Sequence, residues 1–137
     1  RKEQLCVYHH VPYTMMLSKD NIDDVIRNKD RWILKPEDSY GSKGVYAGVE
    51  YSQAEWEQKV RGVKMGEYIL QEFCMPYTNY NYEFDGNSLN RIKFYNLTGM
   101  YVYNGKLKGM YSRISKSPII STQYSEMAIP TIIVDET

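Results

Sequence analysis

Neither sign of charge predominates in this sequence: seventeen Lys and Arg are matched by seventeen Asp and Glu, for a formal net charge of zero. Holding a polyanion over a wide surface takes uncompensated positive charge, so no nucleic-acid partner is expected. Cysteine is scarce as well. Two thiols, Cys6 and Cys74, are too few for a disulfide scaffold in a chain of 137 residues, and a reducing, cytoplasmic setting is the expectation. No apolar run approaches the roughly eighteen residues of a spanning helix, so no membrane partner is expected; internal repeats and low-complexity tracts are also missing. The chain starts at Arg1 rather than Met with no apolar leader behind it, which reads as an excised piece of a longer protein.

What is present is enough for a core, since a chain of this length buries roughly two-thirds of the surface its unfolded form exposes. Fourteen tyrosines suit half-buried sheet faces and ligand-lined clefts alike. From Ser18, "SKDNIDDVIRNKD" sets Ile22, Val25 and Ile26 at helical spacing with acids early and bases late, which predicts a short amphipathic helix. "RWILK" reads as a buried strand and "GVYAGV" as its partner, a hairpin over Arg31 to Val49 with a long tip. Ser52 and Glu55 form an S-x-x-E capping box, and Trp56, Val60 and Val63 follow on one face, so a second helix runs to Gly62 or Gly66, with Trp56 as a core anchor.

"EYILQEF" is the next strand, ended by Pro76, and the polar "YTNYNYEFDGNSLN" reads as a loop. "IKFYNLTGMYVYNGKLKGMYSRIS" centres on Asn104-Gly105, the strongest short signal for a two-residue type I′ turn. A regular ladder from that turn pairs Val102 with Leu107, Met100 with Gly109, Thr98 with Tyr111 and Asn96 with Arg113. "PTIIVDE" is the last strand candidate. The expected fold class is α+β, antiparallel sheets with short helices. The length suits a single domain, in which a 1–73 part carries the glycine loop and a hairpin-rich 74–137 part completes a cleft.

Lys35 carries the chemical question. A lysine closing a buried strand is costly unless an anion meets it, and Pro36 restricts the chain as it enters the loop from Glu37 to Gly44. Gly41 and Gly44 let backbone N–H groups approach a ligand closely, and such amides beside a lysine suit phosphate oxygens. Taken alone, Lys35 reads equally as a snorkelling surface lysine, and "GSKG" lacks the G-x-x-x-x-G-K-[ST] spacing of a P-loop.

The order of parts is more specific: a strand ending Lys-Pro, a glycine loop, a return strand, a capped helix, and a hydrophobic strand ending Gln71-Glu72-Phe73. It resembles the nucleotide-binding half of ATP-grasp ligases. The resemblance implies that Lys35 contacts the α/β phosphates and that Gly41, Ser42, Lys43 and Gly44 lid the triphosphate. It further implies that Gln71, Glu72 and Phe73 form the hinge that reads adenine through backbone groups. A second family lysine lies some thirty-odd residues upstream of the first; Lys2 stands 33 before Lys35, and "VPYT" looks like the P-x-T that follows it. "GKLKGMYSRIS" is similar to the family's G-x-x-x-G-x-x-x-R strand, whose arginine, here Arg113, reaches the γ-phosphate or acyl phosphate. Lys2 also reads as a frayed terminal charge, and Arg113 as a solvated strand-end arginine.

One departure is informative. The family's magnesium carboxylates and asparagine usually follow the hinge, yet Asp85 lies in a turn-rich segment and Asp135 and Glu136 close the chain without an asparagine two positions on. The circularly permuted branch, which includes glutathionylspermidine-synthase-like proteins, carries those ligands upstream of the lysine segment. The resemblance thus implies the ATP-binding C-terminal portion of a carboxylate–amine ligase working through an acyl phosphate. ATP, two Mg²⁺ held by upstream residues, and a small-molecule or peptide carboxylate and amine are the implied partners, with no metal ligand in this chain and the isolated piece inactive. The rivals are a β-rich module that binds proteins or peptides through exposed tyrosines, and an ATP-grasp relative without activity.

Other candidates are weaker. Cys6, His9 and His10 lack a partner pair for zinc, Asn96-Leu97-Thr98 matches a glycosylation sequon without a secretory signal, and neither Ser42 nor Cys74 has an evident base. The sequence does not disclose the oligomeric state.

Overall fold

The computed structural model describes residues 2–121 and 126–134. The chain divides into two compact units, Arg1–Cys74 and Met75–Thr137, each with its own antiparallel sheet.

The first unit opens with a helix that the apolar spacing does not announce, α1 (Lys2–His10), in which every residue is exposed. Lys2 to Leu5 are good helix formers, and Glu3 in the first turn with His9 and His10 in the last agrees with the helix dipole. β1 (Thr14–Met16) follows, then α2 (Ile22–Arg27), shorter than the expected segment from Ser18 because Asn21 is spent on a turn. The Asn21 carboxamide accepts from the Ser18 N–H at 2.9 Å and donates to the Met16 carbonyl at 2.8 Å.

β2 (Trp32–Pro36) and β3 (Tyr46–Ala47) make the expected hairpin, but β3 is only two residues long. The remainder of "GVYAGV" turns into a 3₁₀ segment, Gly48–Glu50, because Gly48 passes against the backbone of Lys29. A Cβ at Gly48 would stand 1.9 Å from the Lys29 carbonyl oxygen, so no other residue fits there. α3 (Gln53–Gly62) carries the complete capping box: Glu55 N–H donates to the Ser52 hydroxyl, and the Glu55 carboxylate accepts from the Ser52 N–H. The Ser52 hydroxyl, which also donates to that carboxylate at 2.6 Å, and then the Ser52 N–H hold the Glu55 carboxyl below its usual value. β4 (Tyr68–Glu72) completes a sheet of order β1-β4-β2-β3.

Leu34 and Leu70 point to one face of this sheet and meet Val25, Ile26, Trp56 and Val60 from α2 and α3. Trp56 is wholly buried, as its helical spacing predicts, and its indole N–H donates to the Val25 carbonyl at 3.0 Å. Each such side chain contributes roughly 1.5–3 kcal/mol of burial.

The second unit corrects three expectations. The stretch read as a loop is instead β5 (Thr78–Phe84), a turn at Asp85–Ser88, and the start of β6 (Leu89–Tyr103). Asp85 closes that turn by accepting from the N–H groups of Asn87 and Ser88, each within 2.9 Å, which drives its carboxyl far below the ordinary aspartate value. β7 (Lys106–Ser115) returns through Asn104 and Gly105, both with positive φ (49° and 70°), the type I′ turn the dipeptide predicts.

The ladder beyond that turn is not regular. Val102 faces Leu107 as expected, but Tyr101 faces Gly109, so Lys108 is an extra, unpaired residue. The slip sets Gly99 opposite Tyr111 and Leu97 opposite Arg113, which moves Arg113 off the face of Asn96 and Thr98. The last strand, β8 (Met127–Ile129), pairs with β7 ahead of Pro130, and residues 131–134 form no strand. The expected "PTIIVDE" strand is therefore displaced, in keeping with the missing N–H of Pro130; Asp135 and Glu136 lie outside the described residues.

Candidate functional site

In the first unit, β2 and β4 place Lys35 opposite Ile69 and Ile33 opposite Gln71, while β1 and β4 place Thr14 opposite Gln71. Lys35, Gln71 and Thr14 thus share the face of the sheet that points away from the helix layer. They are linked in sequence. Lys35 Nζ donates to Gln71 Oε1 at 2.6 Å, Gln71 Nε2 to Thr14 Oγ1 at 3.0 Å, and Thr14 Oγ1 to the Pro12 carbonyl at 2.9 Å. Burial lowers the Lys35 ammonium from the usual lysine value, and the nearby Cys74 thiol acts in the opposite direction. The Lys35 ammonium is thus half-buried, with the neutral Gln71 carboxamide as its acceptor among the described residues.

The loop leaving β2 is held by its own backbone bonds. Its base is closed by the Glu37 N–H, which donates to the Glu67 carbonyl at 2.9 Å. Gly41, Ser42 and Gly44 all have positive φ (60°, 60° and 75°), the left-handed region that favours glycine. Gly44 is doubly constrained, because a Cβ there would approach the Tyr68 hydroxyl to 3.1 Å. The Lys43 and Val45 N–H groups bond within the loop, to the Tyr40 and Ser42 carbonyls. Among the described residues, the N–H groups of Gly41, Ser42 and Gly44 have no protein acceptor. Lys43 is exposed, with its carbonyl accepting from Ser39 Oγ.

At the far end of β4 the hinge candidates are partly committed. The Glu72 N–H donates to the Tyr13 carbonyl and the Phe73 N–H to the Arg31 carbonyl, each at 2.8 Å, so neither is open to a base. The Glu72 carboxylate also lies 3.5 Å from Arg31. Beside them runs an open groove of about 710 Å³, lined by His9, His10, Tyr13, Arg31, Glu72 and Cys74 among others. Its volume is in the range of small-molecule sites. Gln71 faces away from this groove's ion pair and serves Lys35 instead, a partnership that only the β2–β4 register reveals.

Compared with known protein families and with curated proteins, the sequence matches none.

Lys2 sits in the first turn of α1, exposed, and Arg113 belongs to the second unit. There the Arg113 guanidinium pairs with the Glu126 carboxylate at 3.2 Å and stacks over the Tyr111 ring at 4.9 Å. Asn96 is buried, its side-chain amide donating to Asn79 Oδ1 and the Phe94 carbonyl, so it serves the sheet and not a glycan. Cys6, His9 and His10 lie on the exposed face of α1, and no group of three metal-ligating side chains occurs among the described residues. Asp85, held in a tight polar turn, has its oxygens occupied by its own hairpin. No helix among the described residues is long and apolar enough to cross a membrane.

Proposed function

We propose that this chain is the ATP-binding portion of a carboxylate–amine ligase of the circularly permuted ATP-grasp type. The observation that carries the reading is the pairing of a half-buried, charge-destabilised Lys35 with the three acceptor-less amides of Gly41, Ser42 and Gly44 in the loop it enters. An ammonium and backbone N–H groups without protein acceptors are the kinds of donor that phosphate oxygens need. Gln71, itself bonded to Thr14, already holds the Lys35 ammonium, and a side chain restrained in this way loses less entropy on binding.

In this reading ATP supplies a phosphoryl group that turns a carboxylate into an acyl phosphate, and an amine then displaces phosphate to leave an amide. Lys35 and the loop amides neutralise and position the phosphates, and Lys2 adds a cation. The groove beside Glu72 and Cys74 takes the base, with the Cys74 N–H, which has no acceptor among the described residues, as its donor in place of the committed Glu72 and Phe73 groups. The magnesium-binding carboxylates come from elsewhere in the protein, so this chain alone is expected to bind nucleotide weakly and to form no product.

Titration with a fluorescent ATP analogue in the presence of Mg²⁺ tests the proposal. Saturable binding that ordinary ATP displaces and that Lys35→Ala weakens supports it; no binding at millimolar nucleotide, or binding indifferent to Lys35, contradicts it. The exposed Tyr80, Tyr82, Tyr101 and Tyr103 favour a second reading, a β-rich interaction module. A module of that kind gives no nucleotide signal, whereas an ATP-grasp relative without activity binds ATP yet releases no phosphate within the intact protein.

A further inference from the structure

The β6–β7 hairpin outruns the strands beside it. β5 pairs with β6 only as far as Tyr95, the Asn96 N–H is taken by Tyr77, and β8 pairs with β7 only over Ser112 to Ile114. From Leu97 to Tyr111 the ribbon has no third strand among the described residues. A two-stranded ribbon is marginal in water by itself, and this one exposes Met100, Tyr101, Val102, Tyr103 and Leu107, each by more than half of its surface.

Its two edges are not alike. The β7 edge carries Lys106 and Lys108, and Lys108 is the bulged residue; charge and bulge together are what deter a strand from pairing. The β6 edge, Leu97-Thr98-Gly99-Met100-Tyr101-Val102-Tyr103, has no charge and no proline. It is rich in residues that favour extended backbone. One edge is guarded and the other is ready to accept a strand.

We propose that the β6 edge pairs with the same edge of a second copy, making a two-fold dimer with a sheet continuous across the axis. An antiparallel register centred on Met100 is the one that matches the whole uncharged segment end to end. It sets Met100 against Met100 of the other copy, Thr98 against Val102 and Leu97 against Tyr103. Tyr101 then stands opposite Gly99, which has no side chain and so leaves room for a second ring beside Tyr111. The same complementarity already operates within the chain, where Gly99 faces Tyr111 and Tyr101 faces Gly109, with the two rings 5.2 Å apart. With zero net charge on the chain and none on this edge, like copies do not repel.

Sedimentation velocity from low to several hundred micromolar protein tests the proposal. The expected result is a monomer–dimer equilibrium that stops at two copies, with Met100→Lys, which brings two ammonium groups face to face, weakening it at least about tenfold. Far-UV circular dichroism checks that the variant keeps its fold. If it does not, Met100→Cys in a Cys6→Ser, Cys74→Ser background decides: oxidation gives a covalent dimer, while Leu107→Cys in the same background stays monomeric. A chain that remains monomeric throughout, as it would if another segment or another protein covers this edge, overturns the proposal. So does growth beyond two copies, a dimer indifferent to Met100→Lys, or equal cross-linking at positions 100 and 107.

Discussion

Replacing Lys35 by methionine separates what the ammonium does for the fold from what it does for a ligand. Methionine keeps most of the aliphatic stem and deletes the charge, so the packing of β2 is little changed. The fold loses the Lys35–Gln71 hydrogen bond at 2.6 Å, worth about 1 kcal/mol net at a site open to water. It also sheds the cost of half-burying a cation, the cause of the lowered Lys35 pKa. The two terms oppose each other, and the stability of the free chain is expected to change by no more than about 1 kcal/mol at neutral pH, a few degrees in Tm. Nucleotide affinity has no such compensation. A charge-assisted contact to phosphate contributes about 1.5–3 kcal/mol, so affinity should fall roughly 10- to 150-fold.

The pH dependence carries a sign. Because the folded pKa of Lys35 lies below its unfolded value of 10.5, the folded chain releases that proton first as pH rises. The penalty for the buried charge is fully present below the folded pKa and is relieved as pH rises towards 10.5. Wild type should therefore gain stability relative to Lys35→Met across that alkaline window. Urea unfolding of both proteins from pH 7 to pH 10.5, with nucleotide titrations at pH 7, gives all three numbers. A variant that loses several kcal/mol at pH 7, shows no relative change at high pH and binds ATP like wild type refutes the reasoning.

Other perturbations have equally definite outcomes. Trp56→Ala removes a wholly buried indole and orphans the Val25 carbonyl, and should cost the first unit about 3–5 kcal/mol in chemical denaturation. Ser52→Ala deletes one half of the capping box and should cost about 0.5–2 kcal/mol, with faster amide exchange confined to the start of α3. Gly48→Ala drives a methyl group into the Lys29 carbonyl and should cost at least about 1–3 kcal/mol, read as a lowered Tm. Acidification should loosen the β5–β6 turn. The folded pKa of Asp85 is depressed, so its contribution is present above its ordinary value of 3.8 and fades as pH falls below it, visible as faster exchange at Asn87 and Ser88 that Asp85→Asn removes.

The parts of the fold that were legible in the sequence are those with local causes. The capping box, the Trp56 face of α3, the Asn-Gly turn and the buried "WILK" run each rest on chemistry contained within a few residues. The missed elements have causes at a distance or signals of mixed meaning. β5 alternates Tyr80, Tyr82 and Phe84 with Asn79, Asn81 and Glu83, a period of two that its asparagines disguise as turn composition. α1 buries nothing, so no apolar stripe marks it. The bulge at Lys108 leaves no trace in composition, yet that one residue decides which face Arg113 takes.

The site divides in the same way. Lys35 and its glycines are contiguous and legible, whereas Thr14 and Gln71 join them through strand pairings 21 and 36 residues away. The commitment of the Glu72 and Phe73 N–H groups to Tyr13 and Arg31 depends on segments that no local motif connects.

The most direct measurement is a two-dimensional ¹H–¹⁵N NMR titration of the chain with ATP and Mg²⁺ carried to millimolar concentration, which registers even weak binding residue by residue. The account predicts progressive, saturable shifts at the amides of Gly41, Ser42, Gly44 and Cys74, with inorganic triphosphate reproducing the first three and adenosine the last. Amides at those four positions that stay unmoved while ATP reaches millimolar levels would contradict it.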